Sequence, residues 1–207
     1  MRGLFVTLEG GEGCGKTTQA EILKSKLTDF GIPHELTKEP GGTKAGAAIR
    51  EFLLHTKRKL SGLEELILFE ADRIIHVDEI EAQLADGKIV VCDRFIDSTV
   101  AYQSYGRGVP LYAVKEFNTI GQLGLVPDVT YYLRIDPGIG VQRALERKGR
   151  NSRFDLEKAA FHLKVFEGFD IIAKSNSSRI VVVNGMQPRE LVANDIWDDL
   201  KVRLEER

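Results

Sequence analysis

Gly10-Gly11-Glu12-Gly13-Cys14-Gly15-Lys16-Thr17 is the stretch that decides the fold of this chain. It fits the pattern G-x-x-x-x-G-K-[ST], in which glycines let successive backbone N–H groups converge on phosphate oxygens. A short apolar run precedes it, and a helical pattern from Gln19 to Leu27 follows it. Because a helix N-terminus attracts anions, this context predicts a nucleoside triphosphate site. The residues predicted to bind the triphosphate are Gly10, Gly11, Glu12, Gly13, Cys14, Gly15, Lys16, Thr17 and Thr18.

Apolar, β-branched runs recur between helical patterns, which is typical of a parallel sheet. Four of them indicate strands buried on both faces: Leu4 to Leu8, Ile89 to Cys92, Val129 to Leu133 and Ile180 to Val183. His34 to Thr37 is a weaker fifth candidate. The sequence shows neither a fixed-period repeat nor a linker-like segment, so we expect one three-layer α/β domain over residues 1–207.

The composition is that of an ordinary globular domain. The 207 residues include 29 Lys+Arg and 31 Asp+Glu, for a net charge of −2, and 43% are hydrophobic. This balance offers no broad basic field to DNA or RNA, so we expect no nucleic-acid partner. The run Leu4 to Leu8 is too short for a signal-peptide core or a membrane span, so we expect a cytoplasmic protein without membrane association.

A carboxylate follows one of the predicted strands. Asp93 comes directly after Ile89 to Cys92, at the edge where open α/β sheets bind ligands. An Asp at a strand end is also a common turn former, so this signal alone is weak. Together with the phosphate-binding loop, it predicts a Mg²⁺ site made by Thr17 and Asp93.

The sequence contains neither an N-K-x-D nor a D-x-x-G motif, which disfavours a regulatory GTPase. A motor-like ATPase usually needs further domains that 207 residues hardly hold. A small-molecule kinase is therefore favoured. Arg94, next to Asp93, is a candidate to bridge the acceptor and the transferred phosphate, with a surface ion pair as the alternative.

Phe69 and Arg73 could grip an acceptor nucleotide, because their i, i+4 spacing puts an aromatic plate and a cation on one face of a predicted helix from about Leu63 to Ala85. The alternatives are core packing for Phe69 and a pairing of Arg73 with Glu70 or Asp72 on the helix surface. The spacing does not decide between them.

A second set could read a base edge. Thr99, Tyr102 and Gln103 fall at i, i+3 and i+4, and on an α-helix they would present a hydroxyl, a ring and an amide from one face. Thr99 could instead belong to a first turn capped by Asp97, and Tyr102 could be a core residue. These alternatives also stay open.

Four motifs occur in order along the chain: Glu9-Gly10-Gly11-Glu12-Gly13-Cys14-Gly15-Lys16-Thr17-Thr18, Glu39-Pro40-Gly41-Gly42-Thr43, Asp93-Arg94-Phe95 and Ser98-Thr99-Val100-Ala101-Tyr102-Gln103. In this combination the chain resembles the bacterial thymidylate kinases over most of its length. The resemblance implies phosphorylation of dTMP to dTDP with ATP and Mg²⁺, in dTTP synthesis. It also implies a P-loop kinase fold with a five-stranded parallel sheet flanked by helices, and a homodimer.

The resemblance also implies roles for single residues. Phe69 stacks on thymine, Arg73 contacts the base, and Arg94 clamps the acceptor phosphate. Tyr102 crowds C2′ of the deoxyribose and so disfavours ribonucleotides, and Glu12 faces the 3′-hydroxyl. The implied acceptor pocket consists of Glu12, Glu39, Pro40, Phe69, Arg73, Arg94, Ser98, Thr99, Tyr102 and Gln103.

The segment from Arg143 to Arg153 is concentrated in charge: six of its eleven residues are charged and five of these are positive. Members of the resembled family without an arginine at the equivalents of positions 11 to 14 supply it from a lid. The resemblance thus implies an Arg-rich lid at about residues 146–156. Its candidates for stabilising the transition state, with Lys16 and Arg94, are Arg147, Arg150 and Arg153. On this interpretation Arg153→Ala lowers turnover far more than it weakens dTMP binding.

The apolar residues of the predicted helix from about Leu63 to Ala85 cover more than one face, which also favours a partner subunit. Two alternative functions remain at this point. One is another nucleoside monophosphate kinase, for UMP/CMP or AMP. The other is a P-loop nucleotide switch without a phosphoryl acceptor.

Overall fold

Five parallel strands form the centre of the computed structural model, which describes residues 1–146 and 152–206. The strands are β1 (Phe5–Glu9), β2 (His34–Lys38), β3 (Ile89–Asp93), β4 (Val129–Arg134) and β5 (Ile180–Asn184). They pair in parallel in the order β2-β3-β1-β4-β5. The predicted five-stranded parallel sheet is confirmed. Each strand ends one residue later than predicted, because a polar last residue such as Asp93 still pairs in register although it breaks the apolar run.

Helices follow the strands, as the alternation predicted. They are α1 (Lys16–Asp29), α2 (Lys44–His55), α3 (Gly62–Ala85), α4 (Ile96–Thr99), a π-helix (Val100–Gly106), α5 (Leu111–Gly121), α6 (Pro137–Leu145), α7 (Ala159–Ser175) and α8 (Arg189–Glu205). The long helix α3 begins with a reciprocal capping box between Ser61 and Glu64. It ends just before Gly87, which has φ +78°.

The helices pack on both faces of the sheet, which gives three layers. On one face, alternate residues of β1 such as Val6 and Leu8 pack against α1 and α8. On the other face, Phe5 packs with α3, and Tyr132 packs with α7 and the π-helix. The three-layer α/β prediction is therefore confirmed.

One detail of the strand prediction is wrong. Ile180 to Val183 was expected to be buried on both faces, but Val182 of β5 is exposed. The reason is that β5 is an edge strand, so the flanking layers cover it incompletely.

The strand order places the candidate site. β1 lies at the centre of the sheet between β3 and β4, and Leu8 pairs with Asp93 across the β1–β3 register. The loop after β1 and the residues after β3 therefore meet at the carboxyl edge of the sheet, where open α/β sheets bind ligands.

Candidate active site

The phosphate-binding loop connects β1 to α1 and needs its glycines. Gly13 has φ +66°, and a Cβ there would lie 1.9 Å from the carbonyl oxygen of Gly140 in α6. Gly15 caps α1 with φ +97°, and no side chain satisfies the first N–H groups of that helix. These N–H groups and the positive end of the helix dipole are therefore available to an anion.

Lys16 lies buried inside this loop. Its Nζ donates to the carbonyl oxygens of Gly10 and Gly11, both at 3.0 Å, and to Cys14 Sγ at 3.3 Å. Gly10 and Gly11 thus hold the lysine and do not line the open groove above the loop. The predicted loop residues that do line the groove are Glu12, Gly13, Cys14, Gly15, Lys16, Thr17 and Thr18.

Thr17 and Asp93 are brought together as predicted. Thr17 Oγ1 donates to Asp93 Oδ2 at 2.8 Å, and both residues line the groove. A hydroxyl and a carboxylate oxygen are donors that Mg²⁺ accepts when phosphate oxygens and water complete its shell. In the described part of the chain, three or more His, Cys, Asp or Glu side chains nowhere gather into a metal-binding group. The pair therefore fits a metal shared with a bound nucleotide, rather than a cage made by the protein alone.

A second, smaller cavity of about 340 Å³ adjoins the groove. All ten residues predicted for the acceptor pocket line it: Glu12, Glu39, Pro40, Phe69, Arg73, Arg94, Ser98, Thr99, Tyr102 and Gln103. Because Glu12, Glu39 and Arg94 line both spaces, the cavity opens towards the phosphate-binding loop. The structure thus has two adjoining cavities at one edge of the sheet.

Arg94 lies at the junction of the two sites. Its Nη1 donates to Gly10 O at 2.9 Å and to Ser98 Oγ at 3.0 Å, and its Nη2 donates to Glu12 Oε1 and Tyr102 Oη at 2.9 and 3.1 Å. Burial opposes its charge, but Tyr102 and Glu12 raise its pKa above the ordinary value. The backbone of Arg94 has φ +75°, a strained conformation for a residue with a Cβ. The alternative considered from the sequence was a surface ion pair, but the pair of Arg94 with Glu12 is largely buried.

Arg73 lines the cavity and is fully buried. Its donors already serve Glu39 at 2.9 Å, Glu70 at 2.7 Å, Asn118 at 2.9 Å and Thr99 at 2.8 Å. The pairing with Glu70 exists, but it is buried rather than on the helix surface. Of the five N–H groups of a guanidinium, four are used, so at most one remains for a ligand.

The helix that carries Thr99, Tyr102 and Gln103 differs from the expected one. An α-helix was assumed, but α4 ends at Thr99 and a π-helix follows from Val100 to Gly106. The three residues still face the cavity. The π-helix also brings Tyr102 Oη to 2.8 Å from Glu12 Oε1, where it donates a hydrogen bond. Burial raises the pKa of the Tyr102 hydroxyl, so it stays a donor.

Sequence reasoning missed two arginines. Arg50 of α2 lines both the groove and the cavity, and its Nη1 donates to Pro40 O at 2.7 Å. Arg143 of α6 lines the groove only. Neither residue belongs to a motif, and both reach the site through tertiary packing. The positive segment that begins at Arg143 was the only signal for the second.

The lid residues are only partly described. Arg147 and Arg150 lie outside the described residues, so their prediction stays as it was. Arg153 is described, and its guanidinium lies against Glu65, not in the groove beside the phosphate-binding loop. Its neighbours Ser152, Phe154 and Asp155 line the smaller cavity.

The two cysteines are free thiols and differ in position. Cys14 lines the groove, as its place in the loop predicted. Cys92 is buried below it and donates to Arg94 O at 3.0 Å, and burial raises the pKa of its thiol. Only Cys14 therefore approaches the phosphate site.

A buried carboxyl group supports the strand end from below. Glu9 accepts from Phe95 N at 2.7 Å and from Ser98 Oγ, both just beyond β3. Burial, with a smaller contribution from Asp97, raises the pKa of Glu9 from 4.5 to about 7. The folded protein thus retains a proton that the unfolded chain releases at lower pH.

This proton makes the stability depend on pH. Between pH 4.5 and about 7 the folded state binds more protons at Glu9, so the free energy of unfolding falls as pH rises through this window. Glu9→Gln removes the titration. Urea unfolding gives the free energy of unfolding of both proteins at pH 5 and at pH 8. We expect the value for the variant minus that for the wild type to be higher at pH 8 than at pH 5, on the order of 1 to 3 kcal/mol. Parallel pH dependences for the two proteins would contradict this assignment.

A phosphate-binding loop and a second pocket that opens onto it define a P-loop kinase with a small anionic acceptor. Comparison with known proteins agrees with this class. The thymidylate kinase family model matches residues 8–196. A thymidylate kinase of Synechococcus sp. (strain JA-2-3B'a(2-13)) is 43% identical over 202 residues, covering 97% of this chain and 96% of that protein.

Two further relatives extend the comparison. A thymidylate kinase of Dehalococcoides mccartyi (strain CBDB1) is 43% identical over 205 residues, covering 97% of this chain and 95% of that protein. One of Nostoc sp. (strain PCC 7120) is 39% identical over 212 residues, with 100% and 99% coverage. The chain belongs to the thymidylate kinase family. Among the described helices, we find none with the length and apolar character needed to cross a membrane.

Proposed function

We propose that this protein transfers the γ-phosphoryl group of ATP to dTMP, giving ADP and dTDP. A phosphate oxygen of dTMP attacks the γ-phosphorus, and the bond from that phosphorus to the β,γ-bridging oxygen breaks, so ADP leaves with the electron pair. The observation that carries this proposal is the second cavity beside the groove of the phosphate-binding loop, with Arg94 lining both. A nucleotide switch has no use for such a second pocket.

The donor nucleotide would lie in the groove. The free N–H groups at the start of α1 and the Lys16 ammonium bind the phosphates, and this positive charge stabilises the negative charge that develops on the equatorial oxygens. Thr17 and Asp93 would hold Mg²⁺, which would neutralise phosphate charge. Gln187 and Arg189, which follow β5, also line the groove, and we assign them to the nucleoside part of ATP.

The acceptor would lie in the cavity with its phosphate towards the loop. Arg94 and Arg50 are the cations at the opening, so both clamp the acceptor phosphate and place its oxygen in line with the γ-phosphorus. Of the lid arginines, Arg147 and Arg150 are assigned to the transferred phosphoryl group.

The base and sugar would be read deeper in the cavity. The Phe69 ring stacks on thymine, and the side chains of Thr99 and Gln103 hydrogen-bond its edge, with at most one N–H of Arg73 beside them. Tyr102 and Glu12 form the sugar side, where the ring crowds C2′ and the carboxylate accepts from the 3′-hydroxyl. The remaining pocket residues Glu39, Pro40 and Ser98 position these groups: Glu39 pairs with Arg73, and Ser98 accepts from Arg94.

The test is a coupled ADP-release assay with ATP, Mg²⁺ and dTMP, against the same mixture without acceptor. We expect ADP release to depend on dTMP and an equal amount of dTDP to form. Release that is the same without acceptor would contradict a kinase and favour the nucleotide switch. Since the reaction consumes ATP, we also propose that it takes place in the cytoplasm.

We further propose that two copies of the chain form a homodimer through α3. This helix buries one side in the protein, yet it exposes Leu63, Ile67, Ile74 and Ile75 on the other. Exposed apolar patches of this kind mark protein–protein contacts. Light scattering should give a mass of about twice the 23.1 kDa of one chain, and Ile67→Asp should reduce it to that of one chain. A wild-type protein that is monomeric at micromolar concentration would contradict this proposal.

A further inference from the structure

Glu65 is a buried carboxylate in the first turns of α3 that the proposed reaction does not use. It has no exposed surface, and it accepts hydrogen bonds from three side chains. Gln103 Nε2 donates at 3.0 Å, Arg107 Nε at 3.0 Å and Arg153 Nη1 at 2.7 Å. A carboxylate without water contact that faces two cations is a strong anchor, because its loss removes the carboxylate partner of Arg153 and one of the two carboxylate partners of Arg107.

The two cations tie the lid to the body of the protein. Arg153 belongs to the described part of the lid, and it also donates from its backbone N to Leu54 O at 2.9 Å and from Nε to Leu53 O. Arg107, directly after the π-helix, bridges Glu65 to Glu157, the residue that follows the lid, and its Nη1 lies 2.6 Å from the Glu157 carboxylate. The lid segment is thus held at two points that meet on Glu65.

Phe154 lies between these points and forms a wall of the acceptor cavity. The guanidinium carbon of Arg153 lies 4.5 Å from the centre of its ring, and that of Arg107 lies 5.5 Å away. The ring centre is 5.8 Å from that of Tyr102 and 6.2 Å from that of Phe69. The Glu65 anchor therefore fixes an aromatic wall beside the two rings assigned to the sugar and the base.

We propose that Glu65 is a positioning residue for acceptor binding, which holds Arg153 and Arg107 so that Phe154 closes the acceptor pocket. The inference rests on the proposed function, since that function makes the cavity the acceptor site. It also gives Arg153 a different role from the one expected from the sequence. Arg153 serves the acceptor pocket through Glu65, and stabilisation of the transferred phosphoryl group falls to Arg147 and Arg150.

The test compares KM for dTMP with kcat in Glu65→Gln, Arg153→Ala and the double variant. Removing a buried, charge-assisted contact should raise the KM for dTMP by about tenfold or more in each single variant. The kcat at saturating dTMP and the KM for ATP should stay within about threefold of wild type. The KM for dTMP of the double variant should lie within about twofold of that of the single variant with the higher KM, because both changes break the same anchor.

The neighbouring glutamate provides the matched control. The Glu64 side chain is 39% exposed and pairs with Arg58 rather than with the lid. Glu64→Gln keeps a side chain that can complete the capping box with Ser61, so neither constant should change. Should Glu65→Gln not fold, Arg153→Ala decides alone, because its side chain lies at the surface end of the pair.

A fall in kcat of about 10²-fold or more in Arg153→Ala, with an unchanged KM for dTMP, would overturn the inference and restore the arginine to the transferred phosphoryl group. Fully additive effects in the double variant would overturn it too. If the wild-type protein prefers another acceptor, only the proposed function fails, and the variants are compared with that acceptor. A wild-type protein that phosphorylates no acceptor contradicts both.

Discussion

Lys16→Ala is expected to remove ATP-dependent turnover, with kcat lower by at least about 10³-fold. Lys16 is buried, and the partners of its ammonium are two backbone carbonyls and a thiol, with no carboxylate among them. Its positive charge is therefore not neutralised by the protein and remains available to phosphate oxygens. In a loop shielded from bulk water, this charge counts for far more than it would at the surface.

The measurement is steady-state kcat with saturating dTMP, together with the melting temperature of each protein. Lys24→Ala is the matched control, because Lys24 lies on the exposed side of the same helix. The control should keep wild-type activity. A correctly folded Lys16→Ala variant that retains more than about a tenth of the activity would show that the ammonium does not stabilise the transferred group.

Arg94→Ala is the second change with a large expected effect, a fall in kcat/KM for dTMP of about 10²- to 10³-fold. Its guanidinium contacts Gly10, Ser98, Glu12 and Tyr102 at the opening between the two sites. A φ of +75° is strained for a residue with a Cβ, and we relate this strain to a side chain held towards the phosphates.

Arg94→Lys separates charge from geometry. It keeps one positive charge but loses the planar fork that binds two partners at once, so it should recover only part of the lost kcat/KM. Arg134→Ala is the control, because Arg134 forms an exposed ion pair with Asp170 away from the site. Full activity in Arg94→Lys would contradict bidentate clamping, and full activity in Arg94→Ala would remove Arg94 from the mechanism.

The sequence predicted those features that depend on local patterns. The phosphate-binding loop needs glycines and a helix start within eight residues, so its place after β1 could be read directly. The meeting of Thr17 with Asp93 followed from the rule that the ends of neighbouring parallel strands share one edge. The i, i+4 spacing of Phe69 and Arg73 likewise placed both on one face of a long, well-capped α-helix.

Features that depend on tertiary packing could not be predicted in this way. The π-helix between Val100 and Gly106 has no sequence signature comparable to a cap or an apolar period. Arg50 reaches the site because α2 packs against α3, and no motif marks it. The position of Arg153 on Glu65 joins residues that are 88 positions apart. Contacts of this range are set by the fold as a whole.

The central claim is that the cavity beside the phosphate-binding loop selects dTMP, and a panel of acceptors tests it most directly. ADP release should be compared with dTMP, dUMP, dCMP, UMP, CMP, AMP and GMP and without acceptor, each with ATP and Mg²⁺. We expect the highest kcat/KM with dTMP, a value about 10- to 200-fold lower with dUMP because one methyl group is missing, and background rates with the ribonucleotides. A preference for UMP, CMP or AMP would contradict the roles given to Phe69 and Tyr102. Equal slow release in every well would contradict phosphoryl transfer to any of these acceptors.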